Sequence, residues 1–591
     1  MKCRFTICLI PILFAVVGSL YSCKNASHSR EKLPQKLQSL LDSYPPWSLQ
    51  HKSCEFLLSN TSAEDISSLD PDSLKANIDS AIATWEQVSW RKEYSDRQFM
   101  EYVLPFRIAR EPAEFYWRWN IPQWLRIETS DDMMEMARQI NLRTSVNMSP
   151  DSWSNRQMGY TATLAGNVGK CDDRAILTVM AMRAYGIPAA LESVPQWGSH
   201  DVGHAVCSVI RPDGSKNASD RKNVFLTQKA PKIYRRMCSL QTQSILYKYR
   251  NSESMPPVFS DFKLMDVTPL HNVGQRDLPV PVTDRHSHIV YLSVFKSTAS
   301  DRWNPVAYTL NRGRRTVFSA AGDGTIGNKG DRFDLGEDIG DGILYLPSFY
   351  IDDEVVPIGC PMVVFHEGVR EIKPGKATES VVLRRKYPRL KRIVGFADKM
   401  VGGMIQGANR ADFSDAVTLH FITTSPLSRP QQVVVEGKFR YVRYFKPNGT
   451  LSIAELGAYD QNGKRIASHA VVSPALTSVG QPADICDNDP LTYFEMEHGL
   501  NLWVGIEFDR PQKLSQIEFC PRTDDNDISP GDSYELLYWD DQWRSLSEKQ
   551  ADGFEIAFDE VPRGALLLLR DLTKGHEERP FTYENNRQVW W

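Results

Sequence analysis

The stretch GKCDDRAILTVMAMRAYGIPAA, residues 169–190, puts a cysteine at the start of an apolar-periodic run that stops at Gly186 and Pro188. A thiol attacks only as thiolate, and a helix N-terminus favours the thiolate through its unpaired N–H groups and macrodipole. Cys171 occupies such a position. Asp172 and Asp173 in the first turn suit the helix but oppose a second negative charge, so a cationic partner is needed. His204, in SHDVGHAVCSV, opens the next strand-like run. A helix followed by a returning strand brings such residues side by side, where an imidazole can take the thiol proton and later protonate a leaving group. His200 lies four positions earlier; the glycine before His204 and the apolar strand after it favour His204. Cys207, farther along the strand, reads as core. An oxyanion hole would use the Cys171 backbone N–H and a side-chain donor, Gln157 or Asn167. The competing reading of Cys171 is a small buried residue that happens to begin a helix.

The surrounding chain sets the scaffold. Its 591 residues exceed a single core, and 41% hydrophobic with 24% charged residues is ordinary globular composition. A net charge of -4 and the lack of like-charge blocks give no basis for a nucleic-acid partner. The N-terminal MKCRFTICLIPILFAVVGSLYSC has Lys2 and Arg4, an apolar run and small residues before Cys23, the layout of a secretory signal. Downstream of it, cysteines at 54, 171, 207, 238, 360, 486 and 520 leave an odd thiol, with no CxxC pair to suggest a zinc ribbon. Helical periodicity runs from about 30 to 150, where aromatics crowd FMEYVLPFRIAREPAEFYWRWNIPQWL, either as core or as a sugar-stacking platform. From about 275 the pattern changes to strands punctuated by Gly and Pro, as in a β-sandwich, and from about 390 a second strand-rich block follows.

Three resemblances extend this reading. GKC, MRAYGIPA and GHAV, in that order, resemble the transglutaminase-like cysteine-protease superfamily over about residues 95–270. The resemblance implies an α+β papain-like fold and a Cys-His-Asp arrangement that cleaves or transfers amides. Cys171 would be the nucleophile and His204 the base. The acid would be Asp220, with Asp266 in KLMDVTP as the alternative. LYSC resembles a bacterial lipobox, which implies lipidation at Cys23 and anchoring in a bacterial cell envelope. LSIAELGAYD, ICDNDPLTYFE and NLWVGIEFD resemble a discoidin-type galactose-binding-like jelly roll over about 440–591. In that region Asp487, Asp489, Asp524, Asp525 and Asp527 are candidate calcium ligands or solvated turns, and Trp539, Trp543, Trp590 and Trp591 are sugar-stacking or core residues.

The expected organisation is therefore multidomain. It comprises a signal at 1–23, a helical region at 24–95, a transglutaminase-like α+β core at 96–272, a β-sandwich at 273–390 and a β-rich region at 391–591 containing the jelly roll. The expected function is that of an exported lipoprotein whose thiol domain acts on a peptide or glycopeptide amide through a thioester, with no required cofactor. The alternative is a non-catalytic binder of glycan or protein, with a degenerate scaffold.

Overall fold

The computed structural model describes residues 33–148, 157–218, 228–298, 302–322, 336, 338–473, 478–575 and 577–591. Helices dominate the first part: α1 (Gln35–Ser43), α2 (Leu49–Asn60), α3 (Ala63–Ser68), α4 (Pro71–Gln87), α5 (Asp96–Tyr102), α6 (Trp117–Leu125), α7 (Met133–Arg143), α8 (Tyr160–Gly166) and α9 (Cys171–Ala184). Their starts follow from local capping. Ser48, Ser62, Asp70, Ser95 and Asp132 each accept a backbone N–H from the first turn of the helix they precede.

Helix α9 is the centre of this region. Every residue from Ala175 to Ala184 is buried, so the helix needs partners on all sides rather than on one stripe. Helices α4, α6, α7 and α8 supply some of them, and a sheet supplies the rest. The helix ends where Gly186 adopts φ +71°, a left-handed conformation that an L side chain rarely takes, and Pro188 follows. Two guanidiniums inside this core bond carbonyls instead of carboxylates. Arg118 reaches the Asn77 side chain at 2.8 Å and the Val103 and Leu104 oxygens at 2.5 and 2.8 Å, and Arg183 donates twice to the Ala189 oxygen.

Strands β1 (Asn147–Met148) and β2 (Val168–Gly169) form a short parallel pair ahead of α9. The main sheet runs in the order β5 (Lys216–Ala218), β4 (His204–Ile210), β3 (Ala189–Val194), β6 (Tyr234–Arg236) and β7 (Leu264–Asp266). Ala189, Leu191, Ala205, Cys207 and Val209 join the core of α9, whereas Val194 and Val206 join the core of the β module on the other side. Both faces are covered, which explains why HAVCSVI reads as a nearly continuous apolar run rather than an alternating one.

That β module contains the pair β8 (Gln275–Pro279) and β11 (Val317–Ala321). Beside it lies a sheet of β9 (Ile289–Phe295), β10 (Trp303–Leu310), β12 (Ile343–Ile351), β13 (Glu354–Pro357), β14 (Met362–Val364) and β15 (Val369–Glu371). Beyond it, β16 (Thr378–Leu383) pairs with β26 (Ile556–Pro562). A seven-stranded sheet holds β17 (Met404–Ala408), β18 (Val417–Phe421), β19 (Gln431–Ile453), β20 (Glu455–Tyr459), β21 (His469–Val472), β22 (Ser478–Val479) and β23 (Phe494–Cys520). The last sheet contains β24 (Ser533–Asp540), β25 (Gln542–Gln550), β27 (Leu567–Asp571), β28 (Phe581–Glu584) and β29 (Arg587–Trp590). The chain is thus multidomain, with an α/β N-terminal part and a large β-rich remainder. Residues 440–591 divide between two cores: Leu451–Phe519 pack with Met400–Tyr444, while β24–β29 pack on β16 and on the sheet of β9 and β12.

A buried ionic cluster joins the main sheet to the first β module. Glu192, wholly inaccessible, accepts from Arg235 Nε at 2.8 Å and Ser208 Oγ at 2.5 Å, and its Oε2 lies 2.7 Å from Nε2 of the equally buried His271. Burial opposes ionisation of Glu192, but the His271 hydrogen bond and the Arg235 charge outweigh it and bring the carboxyl down to about 2. A carboxyl held below its unfolded value stabilises fully above that value, near 4.3, and the stabilisation is lost as pH falls towards 2. The difference in unfolding free energy between wild type and Glu192→Gln should therefore shrink by about 2 kcal/mol between pH 6 and pH 2.5, read by urea unfolding. A pH-independent difference would show that the charge of Glu192 plays no part.

Candidate active site

Cys171 is the first residue of α9, where the sequence pattern puts it, and it is partly buried. Asp173, two residues on, is 2% exposed and holds the entry to the helix together. Its Oδ2 accepts the Lys170 backbone N–H at 3.0 Å and its Oδ1 accepts that of Met158 at 2.7 Å. The segment before α8 is thereby fixed to the first turn of α9.

Across from this helix end, β4 begins at His204. Helix α9, which Cys171 begins, packs against β4, which His204 opens. The backbone N–H groups of Ala205, the residue next to His204, and of Asp172 favour the thiolate. The glycine ahead of the histidine has a steric reason: a Cβ on Gly203 would lie 2.5 Å from the Val194 oxygen and 2.6 Å from the Pro195 oxygen. The His204 ring stacks on Trp197, with centroids 6.0 Å apart and planes at 25°.

The electrostatics differ from the helix-dipole expectation. Burial raises the Cys171 thiol above its ordinary range; the Ala205 N–H offsets part of this, and the charge of Asp172 raises it further. Macrodipole and backbone donors alone do not make this sulfur a ready nucleophile, so ionisation requires a proton acceptor beside it.

The remaining candidates fall into place around this centre. Asp220 lies outside the described residues, as does Cys23. Asp266 is on β7, in a row that runs Asp266, Tyr234, Ser193, Ala205 across the sheet, hence three strand spacings, about 14 Å, from the start of β4. Its carboxylate is engaged by Lys232 at 2.6 Å and by the Thr268 hydroxyl at 2.6 Å. His200 sits in the loop before β4, 2.8 Å from Ser199 Oγ. Burial, then the Arg579 charge, lowers it to about 4, which keeps it neutral at pH 7. Cys207 is 3% exposed among apolar residues facing α9.

The two side-chain donors considered for the oxyanion hole have different settings. Gln157 Oε1 accepts the Arg110 backbone N–H at 2.7 Å, which orients the amide. Gln157 also precedes Met158, the residue pinned to α9. Asn167 is the exposed, left-handed C-cap of α8. Helix α6 and its N-cap Tyr116 carry exposed aromatics: Tyr116, Trp119 and Trp124 are exposed by 64%, 38% and 50%. Tyr116 and Trp119 lie 6.1 Å apart, and Asn120 reaches the Tyr160 hydroxyl, which ties α6 to the start of α8. Phe99, Phe106 and Trp117 from the same aromatic stretch are core.

In the C-terminal region the acidic candidates are largely engaged by cations: Asp524 and Asp527 by Arg385, each at 2.8 Å, and Asp525 by Lys574 at 3.2 Å. Among the described residues no group of three or more His, Cys, Asp or Glu is arranged to hold a metal ion. Trp539, Trp590 and Trp591 are buried, and Trp539 packs edge-on against Trp303 and Trp543. The Glu192–Arg235–His271 cluster escaped the sequence reading, although a lone carboxylate in the apolar strand AALESV is the sign of a buried partner.

No curated protein matches the chain. Residues 125–215, which hold α8, α9, β3 and β4, match the family model of the transglutaminase-like superfamily.

Proposed function

We propose that this protein is an exported thiol enzyme acting on an amide of a peptide or glycopeptide through a thioester. The observation that carries this reading is the packing of β4, which His204 opens, against α9, which Cys171 begins, with the Ala205 N–H favouring the thiolate. Cys171 Sγ attacks the carbonyl carbon while His204 takes the thiol proton. The C–N bond breaks, and the amine leaves with the proton from His204. Water then attacks the thioester, giving a proton to His204, and the acid departs as the thiol re-forms. The Cys171 N–H and the Gln157 amide bind the oxyanion, and Asp220 orients His204.

The exposed Tyr116–Trp119 pair, on the helix tied to α8 through Asn120 and Tyr160, favours a substrate with a sugar or aromatic group. Lipidation at Cys23 would hold the enzyme in a bacterial cell envelope, and the C-terminal region, read as a discoidin-like module, would bind glycan. The raised thiol is the observation that favours the second reading, a binding protein with a non-catalytic scaffold.

Iodoacetamide alkylation of Cys171, followed by peptide mass spectrometry from pH 4 to 9, separates the two. An apparent pKa below the ordinary value of about 8.5, rising by about one unit or more in His204→Ala, is expected of the enzyme. An unreactive thiol, or one indifferent to His204, would leave the binding scaffold. Because the Asp172 charge raises the thiol, Asp172→Asn should lower its apparent pKa in the same assay; an unchanged profile would remove Asp172 from the electrostatic account. On any amide that the wild type turns over, Gln157→Ala should reduce kcat about 100-fold and leave Cys171 alkylation unchanged. A smaller loss than about tenfold would exclude Gln157 as oxyanion donor.

A further inference from the structure

The segment from Pro195 to Gly203, between β3 and β4, leads directly into His204, and the β modules hold much of it in place. Nine residues is long for a connection between paired strands. Inside it, one backbone bond joins Trp197 N–H to the Val202 oxygen at 3.0 Å. The anchors from the first β module are specific. Gln196 donates to the Phe295 oxygen at 2.7 Å and accepts from Asn304 at 3.0 Å. Asp201 Oδ2 accepts from the Ser297 backbone N–H at 2.7 Å and from its hydroxyl at 2.5 Å.

The third anchor comes from the far end of the chain. Arg579, 1% exposed, donates through Nη2 to the Gly198 oxygen and through Nε to the Trp591 oxygen at 2.5 Å. Its Nη1 lies 3.5 Å from Asp201 Oδ1. Gly198 is thus gripped from both sides, since its N–H also donates to the Lys229 oxygen at 2.8 Å. Between the two gripped residues, Gly198 and Asp201, sits His200, and next to Gly198 is Trp197, whose ring stacks on His204. A buried guanidinium is retained at this seam although it must be desolvated; two of its nitrogens face the backbone and carboxylate of this loop and the third holds the Trp591 oxygen.

We propose that Arg579 and Asp201 are positioning residues for His204, so that docking of the C-terminal β module makes the thiol–imidazole pair competent. The inference rests on the reading of Cys171 and His204 as that pair. It gives the C-terminal module a role in the chemistry that needs no glycan: the module clamps the loop, the loop sets Trp197, and Trp197 fixes the His204 ring.

The full chain should be tested by alkylation of Cys171 across pH in wild type, Arg579→Met, Arg579→Lys and Asp201→Asn, each also combined with His204→Ala. Thermal unfolding and near-UV circular dichroism identify the folded variants. Asp201→Asn keeps an oxygen for Ser297 and removes only the charge, so it decides the matter if Arg579→Met does not fold. A raised apparent pKa is expected in Arg579→Met and Asp201→Asn, with partial recovery in Arg579→Lys. No further change should appear in the His204→Ala background, because the effect passes through His204. A shift of equal size in both backgrounds would mean general loosening and overturn the proposal. A profile that moves with His204→Ala but not with Asp201→Asn or Arg579→Met overturns it and leaves the thiol–imidazole reading standing. A profile that His204→Ala does not move removes that reading, and this inference with it.

Discussion

The contact on which the rest of this architecture depends is that between the first turn of α9 and the first residues of β4. The ends of the helix and the strand that carry Cys171 and His204 stay together only if the two elements keep one packing arrangement. That demand reaches far into the fold. Helix α9 is buried on all sides, so its position is over-determined by helices on one flank and β3 and β4 on the other. Arg118 and Arg183 fill the carbonyl acceptors where chain segments converge on α9, which spares the core a set of orphaned polar groups. Asp173 does the same for the loop entering the helix, at the cost of a carboxylate close to the thiol.

The site is electrostatically unhelpful to its own thiol, and this constrains its chemistry. Burial and the Asp172 charge favour the protonated sulfur, the Ala205 and Asp172 N–H groups favour the anion, and under the proposed reading His204 tips the balance towards the anion. The loop that leads into His204 is tied to two β modules. Under the proposed reading, the setting of the base and the packing of the domains become one problem.

The parts legible in sequence are those written locally. The G-x-C entry, the stop at Gly186 and Pro188, and the glycine before His204 each answer to a backbone constraint within a few residues. The apolar run after His204 marked a strand covered on both faces. Partners distant along the chain were not legible: Glu192 meets Arg235 and His271, and Asp201 meets Ser297 and Arg579, with no periodicity to announce them. Asp266 offered an alternative to Asp220 from a later strand, and sheet order puts it three strands from the start of β4. In the C-terminal half, FRYVRYFKP and LSIAELGAYD read as separate short strands. They lie along β19, 23 residues long and broken by three register shifts, and run on into β20. Two of the three shifts border Gly437 and Gly449, so residues that read as turns between short strands mark bulges within one long strand.

The central claim is that the His204 ring and the Cys171 sulfur share a proton. The most direct measurement is an NMR titration of the histidine ring carbons, with His204 assigned by His204→Gln, in wild type and in Cys171→Ser. The account predicts that the ring of His204 titrates well away from the ordinary histidine value of about 6.5 and returns towards it when the sulfur is replaced. A titration of His204 that is the same in both proteins would contradict it.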